Sequence, residues 1–181
     1  MLKWHGNYKR PQSFRDKLVK AKIAPLPNRS SNRTIPGAKK CTNVNCVTCP
    51  YLIAGKDVKC SVTGTNFEVN TTVTCSTPNV VYCITCAKCD KQYIGETEKP
   101  AAFRFSQHRG YVNNFQQHKE AGKRIEATGE HFNLPGHSGV KDMKFQIIEK
   151  VFQKSKAVRL VRERKYIQEF QSEHLGINRN K

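Results

Sequence analysis

The sequence predicts an α+β fold in which a small three-stranded antiparallel sheet is flanked by helices and preceded by a small Cys-rich module. Three observations predict it. Residues 80–85 (VVYCIT) and 92–95 (QYIG) are short β-branched and aromatic runs on either side of a turn-forming segment. Residues 143–150 (MKFQIIEK) form a third such run, and 156–171 carry a long helical pattern that stops before Gly176. Upstream, the composition between Cys41 and Cys75 shifts to Cys, Thr, Val and Gly. Strands followed by helices in this order give an antiparallel sheet with helices packed on it.

Taken in order, residues 1–40 read as a basic linker segment, partly disordered, with eleven Lys or Arg against one acid, Asp16. Within it, 13–24 is read either as a short basic helix with Ser13 as N-cap or as disorder, and 25–40 as linker without hydrophobic periodicity. Residues 41–78 form the Cys-rich module, in which 67–73 alternates as a strand. Residues 79–181 form the main domain. Its first two strands make a hairpin whose turn contains Cys86 and Cys89. A helix then starts near Pro100, a residue suited to a first helical position, and runs to about Glu120.

The chain of 181 residues has room for one ordinary domain plus a small satellite, and 37% hydrophobic content predicts a modest core. A net charge of +18 favours a polyanionic partner, although a solvated basic surface would carry the same charge. No apolar run approaches the roughly 18 residues of a membrane span, and no signal peptide is expected. The short pairs Cys46-x-x-Cys49 and Cys86-x-x-Cys89 suit metal chelation in a reducing compartment better than disulfides.

Candidate chemistry lies in the main domain. Tyr82 and Tyr93 stand on adjacent strands, where simple packing explains two tyrosines equally well. Arg104, His108 and Tyr111 share a narrow stripe of the first helix, while Phe105 and Val112 form a separate apolar stripe for the sheet. That polar stripe suits a phosphate clamp beside a proton-transfer group, or it is merely solvated. In the last helix Leu160, Ile167 and Phe170 project to one side, with Glu163 between Leu160 and Phe170. A carboxylate in a buried stripe needs a cation or a hydrogen-bonding partner, and Arg159 or Arg164 would serve if its role is structural.

In this order, VVY ending at Tyr82, YIG from Tyr93 to Gly95, Arg104 with His108, Glu163 in RERKYI, and GIN ending at Asn178 resemble the motifs of GIY-YIG nucleases. The Cys-x-x-Cys between the tyrosines and the downstream EHFNLPGHS (130–138) are similar to the nuclease of Penelope-like retroelements, which also has a cysteine-bearing linker. The first motif departs from Gly-Ile-Tyr, and residues 99–104 are less charged than the family pattern suggests.

This resemblance implies a metal-dependent endonuclease that nicks DNA for target-primed retrotransposition, or derives from one that did. It implies Mg²⁺ or Mn²⁺ on Glu163, Arg104 on the scissile phosphate, and Tyr82 or Tyr93 deprotonating water with help from His108. Asn178 would orient a phosphate or a tyrosine. Cys86, Cys89, His131 and His137 would hold structural Zn²⁺. A second zinc set is read from Cys41, Cys46 and Cys49, with Cys60 or Cys75 as fourth ligand. Cys83 reads as core, and His118 and His174 as exposed. Expected partners are double-stranded DNA and a reverse transcriptase with its RNA, in the nucleus. The competing reading is a non-catalytic, zinc-stabilised module that binds DNA or RNA.

Overall fold

The protein's computed structural model describes residues 35–179, so the predicted helix at 13–24 lies outside the described residues. The sheet of the main domain has the expected form. Strands β5 (Val80–Cys86), β6 (Gln92–Thr97) and β7 (Met143–Lys150) run antiparallel in the order β6-β5-β7. The central strand is almost wholly buried because it is flanked on both edges and covered on both faces. Alternation sends Tyr82 and Ile84 to one face and Val81 and Cys83 to the other.

Helix α1 (Ala101–Asn113) covers the first face. Phe105 lies 4.9 Å from the Phe145 ring of β7, which in turn stands 5.5 Å from Tyr82. Burying such aromatic side chains contributes about 1.5–3 kcal/mol each. Pro100 stands just outside the helix, at the N-cap. The expected helix to Glu120 is broken: Asn114 leaves helical geometry, and a short α2 (Phe115–Glu120) follows. Two successive asparagines, 113 and 114, compete for the backbone with their own side chains, which explains the break. A short α3 (Ala127–His131) and a 3₁₀ turn (Gly139–Asp142) lead into β7.

Helix α4 (Lys156–Glu169) packs on β6 and β5. Its inner face differs from the expected one. Leu160 is 40% exposed, whereas Arg159 is 2% exposed and lies inward with Tyr166 and Phe170. The reason is electrostatic, since Arg159 meets Glu96 Oε2 at 2.7 Å, Glu98 Oε2 at 2.9 Å and Asn79 Oδ1 at 3.1 Å.

The Cys-rich segment is built on short ladders. Strand β1 (Gly37–Ala38) pairs parallel with β4 (Thr72–Val73), and β2 (Asp57–Lys59) pairs antiparallel with β3 (Asn66–Glu68). The continuous strand expected over 67–73 is therefore two strands, split at residues 69–71 and serving different partners. This segment shares the core of the main domain. Phe67 stacks on Phe170 at 4.8 Å, and the backbone of Tyr51 and Ile53 bonds Phe145 of β7. Buried Gln92 donates to the Lys59 carbonyl and accepts the Ser61 N–H, both at 2.9 Å. None of the described helices is long and apolar enough to cross a membrane.

Candidate active site and metal centres

Beta pairing sets Tyr82 opposite Gly95 and Ile84 opposite Tyr93, which brings the two phenol rings to 6.4 Å between centroids. Gly95 is required by volume: a Cβ there would fall against Tyr82 Oη and lie 2.6 Å from its Cζ. The Tyr82 hydroxyl is bounded by His108 Nε2 at 2.7 Å and receives the Arg104 Nε–H at 3.2 Å. His108 Nδ1 lies 2.9 Å from Thr128 Oγ1 on α3. Thr128 was not visible as a candidate in the sequence, where no motif marks it.

His108 corrects the separate-stripe expectation. It is 2% exposed and lies on the buried side of α1 with Phe105 and Val112, while Arg104 is half-buried. Tyr111 lies close by, its ring 5.9 Å from that of His108. Burial, reinforced by Arg104, pushes the His108 pKa down to about 3, so the imidazole is neutral. Burial also raises Tyr82 well above the ordinary phenol value, and the Tyr93 charge adds to this while Arg104 opposes it. Tyr93 is raised by burial as well, again opposed by Arg104. For Arg104, burial opposes the charge, but the phenols of Tyr82, Tyr93 and Tyr111 outweigh it and hold the guanidinium charged.

Tyr93 also lines a cleft of about 260 Å³ with Glu163, Arg164, Asn178 and Arg179. Glu163 is half-buried, and its Oε1 accepts the Glu96 N–H at 3.2 Å. The Asn178 amide bonds both the N–H and the C=O of Ile94 at 2.8 Å. It thereby pins the backbone between Tyr93 and Gly95. Gly176 makes room for this turn, since a Cβ there would collide with the Gln92 carbonyl and lie 2.7 Å from Ser172 Cα. Of two larger cavities among the described residues, one contains none of these groups and the other shares only Arg164. The arrangement sets one phenol, Tyr93, beside carboxylates and arginines in the cleft, with Arg104 and the buried Tyr82 directly behind it, a set able to bind and polarise a phosphodiester.

Both cysteine sets are assembled. The ligand atoms of Cys86, Cys89, His131 and His137 lie within 4.8 Å of one another, as do those of Cys41, Cys46, Cys49 and Cys75. In the first set Cys89 Sγ is 3.5 Å from His131 Nε2, and both ring nitrogens of His137 are buried without a hydrogen-bond partner among the described residues. Burial, His137 and Lys91 hold the His131 pKa near 4, leaving a neutral imidazole. In the second set the sulfurs of Cys46 and Cys75 are 3.5 Å apart, and those of Cys49 and Cys75 3.7 Å. A tetrahedron with bonds of about 2.3 Å places sulfurs about 3.8 Å apart, so the donors fit zinc. Cys60 is not in that set; its sulfur accepts the Thr63 N–H at 3.4 Å. Cys83 is core as expected, His174 is exposed, and His118 is half-buried.

Residues 78–178 match the family model described as the GIY-YIG catalytic domain, more than half of the chain. Among solved structures, the catalytic domain of the homing endonuclease I-TevI is similar at 20% identity, over 57% of this chain and 99% of that chain, with a TM-score of 0.43. No curated protein matches the chain. With the paired tyrosines, the helical arginine and the cleft glutamate inside the matched region, the chain belongs to the GIY-YIG family and is an endonuclease.

Proposed function

We propose that the protein nicks one strand of double-stranded DNA at the Tyr93–Glu163 cleft, in the nucleus, as part of target-primed retrotransposition or as a descendant of such a system. A reverse transcriptase with its RNA is the partner this reading implies. One observation carries it: the buried Tyr82–His108–Thr128 chain is bonded to Arg104, Arg104 acts on Tyr93, and Tyr93 lines the Glu163 cleft.

GIY-YIG nucleases depend on a metal, and the donor chemistry here suits a hard divalent ion. Two half-buried carboxylates, Glu163 and Glu173, stand at the cleft wall, and Glu163 is oriented by a backbone N–H. Mg²⁺ or Mn²⁺ held by Glu163 would supply Lewis-acid neutralisation of the charge growing on phosphorus. Arg104 binds a phosphate oxygen through its guanidinium. Tyr93 faces the cleft and takes the proton of the attacking water; burial disfavours its phenolate, and Arg104 works against that burial. Tyr82 Oη is hydrogen-bonded to neutral His108 and accepts from Arg104, which fixes the direction of the cation. Asn178 keeps Tyr93 in place through Ile94. Zn²⁺ in the two cysteine sets has a structural role, since four protein donors leave no open position.

The test is nicking of a supercoiled plasmid with Mg²⁺ or Mn²⁺ by the intact protein, Glu163→Gln and Arg104→Ala. Relaxed circles from the intact protein alone support the reading. Tight DNA binding without relaxed circles from any of the three points instead to a zinc-stabilised binding module.

A further inference from the structure

We propose that the four-cysteine cluster is the mount of helix α1, so that the Cys-rich segment is a working part of the nuclease centre and not a tether leading to it. This rests on the reading of Arg104 and His108 given above.

Four contacts run from this segment to α1, and each starts at or beside a cluster cysteine. The Cys75 carbonyl accepts the Ala102 N–H at 2.7 Å, and the Thr77 carbonyl accepts that of Ala101 at 3.1 Å. These are first-turn donors that no intrahelical carbonyl can reach, and α1 has no side-chain cap of its own. About two turns further, Arg109 Nη1 donates to the Val47 carbonyl at 3.0 Å, between Cys46 and Cys49. The Tyr51 ring, two residues beyond Cys49, packs 5.4 Å from Phe105, and the Arg109 guanidinium lies over both rings.

Arg104 and His108 lie between these anchors on the same helix. The loop from Cys41 to Cys49 contains little regular structure, so on its own it could not hold a carbonyl in position. Cross-linking it to Cys75 through one ion would convert the loop into a rigid bracket. Loss of the ion should then loosen α1 and displace Arg104, even though no cluster residue lines the cleft.

The experiment compares the full chain with the double variant Cys46→Ser/Cys49→Ser and with Arg109→Met. Zinc content, amide exchange and plasmid nicking are measured on each. The double variant should lose about one zinc equivalent. Its amides over 102–108 should exchange about tenfold faster or more while those of β5 stay protected, and kcat should fall about tenfold with KM little changed. Arg109→Met keeps every cysteine and should show a smaller loss in the same amides. Unchanged exchange over 102–108 in a double variant lacking that zinc overturns the proposal. If the double variant unfolds throughout, with β5 exchange lost, Arg109→Met decides: wild-type exchange and nicking overturn the proposal, and faster exchange supports it. An intact protein that never nicks, yet shows the exchange coupling, refutes the nuclease reading and leaves the mount standing.

Discussion

The two phenols of the centre sit on neighbouring strands, yet their surroundings are opposite. Tyr82 is fully buried and belongs to a neutral chain through His108 to Thr128, closed off from solvent. Tyr93 is half-buried and shares an open cleft with Glu163 and two arginines. The paired tyrosines are thus not two copies of one part. One side is a neutral scaffold that holds a cation in direction; the other is a charged surface open at the cleft. The first side should resist changes in salt and pH, and the second should respond to them.

The largest break in that comparison comes from the charged side. Glu163→Gln should lower nicking about 10³-fold with the protein still folded, checked by plasmid kinetics and thermal melting. Arg159→Leu should come next, in stability: it leaves Glu96 and Glu98 without their buried cation and should cost about 3–5 kcal/mol in denaturant unfolding. Tyr93→Phe should reduce kcat about 10²-fold or more, and Tyr82→Phe distinctly less, since only Tyr93 faces the cleft. An equal loss in both would erase the distinction drawn here. Thr128→Val should cost about 1–2 kcal/mol by leaving His108 Nδ1 unpaired.

The smallest effect concerns pH. His108 holds a folded pKa near 3, below its ordinary value of about 6.5. The unfolded chain therefore binds the extra proton first. This residue's share of stability is complete above about pH 6.5 and is lost as pH falls from there toward 3. Nicking rates should consequently show no His108 titration between about pH 6 and 8, whereas acid unfolding should begin later in His108→Gln.

The sheet and the order of its motifs were legible because β-branched runs and aromatic residues at strand spacing say directly which segments pair. The grouping of Cys86, Cys89, His131 and His137 was legible for a different reason, through the resemblance to the nuclease of Penelope-like retroelements, and the fold brings the four together. What was hidden depends on partners far away in the chain. On the wheel of α1, His108 stands about 40° from Arg104 and about 40° from Val112, so the helix pattern alone places it on the border. Thr128, 20 residues later, draws it inward. In α4 the apolar Leu160 looked like core and Arg159 like a partner for Glu163. The decision rested with Glu96 in β6 and Glu98 just past its end, two acids that offer a buried guanidinium its neutralisation. That pair of acids was the available signal. Likewise, Cys75 wins over Cys60 because β4 runs beside β1 and carries Cys75 to Cys41, a pairing with no sequence signature.

The contact between Gly95 and the Tyr82 hydroxyl has a consequence for descent. Any side chain at position 95 needs the space that the phenol of position 82 occupies. A lineage shedding its nuclease activity can therefore trade Tyr82 for a smaller residue first and alter Gly95 afterwards, but the reverse order passes through a clash. The two motifs are inherited as a lock and its keyhole, and the order of their decay in inactive descendants should be readable from which of the two positions has changed.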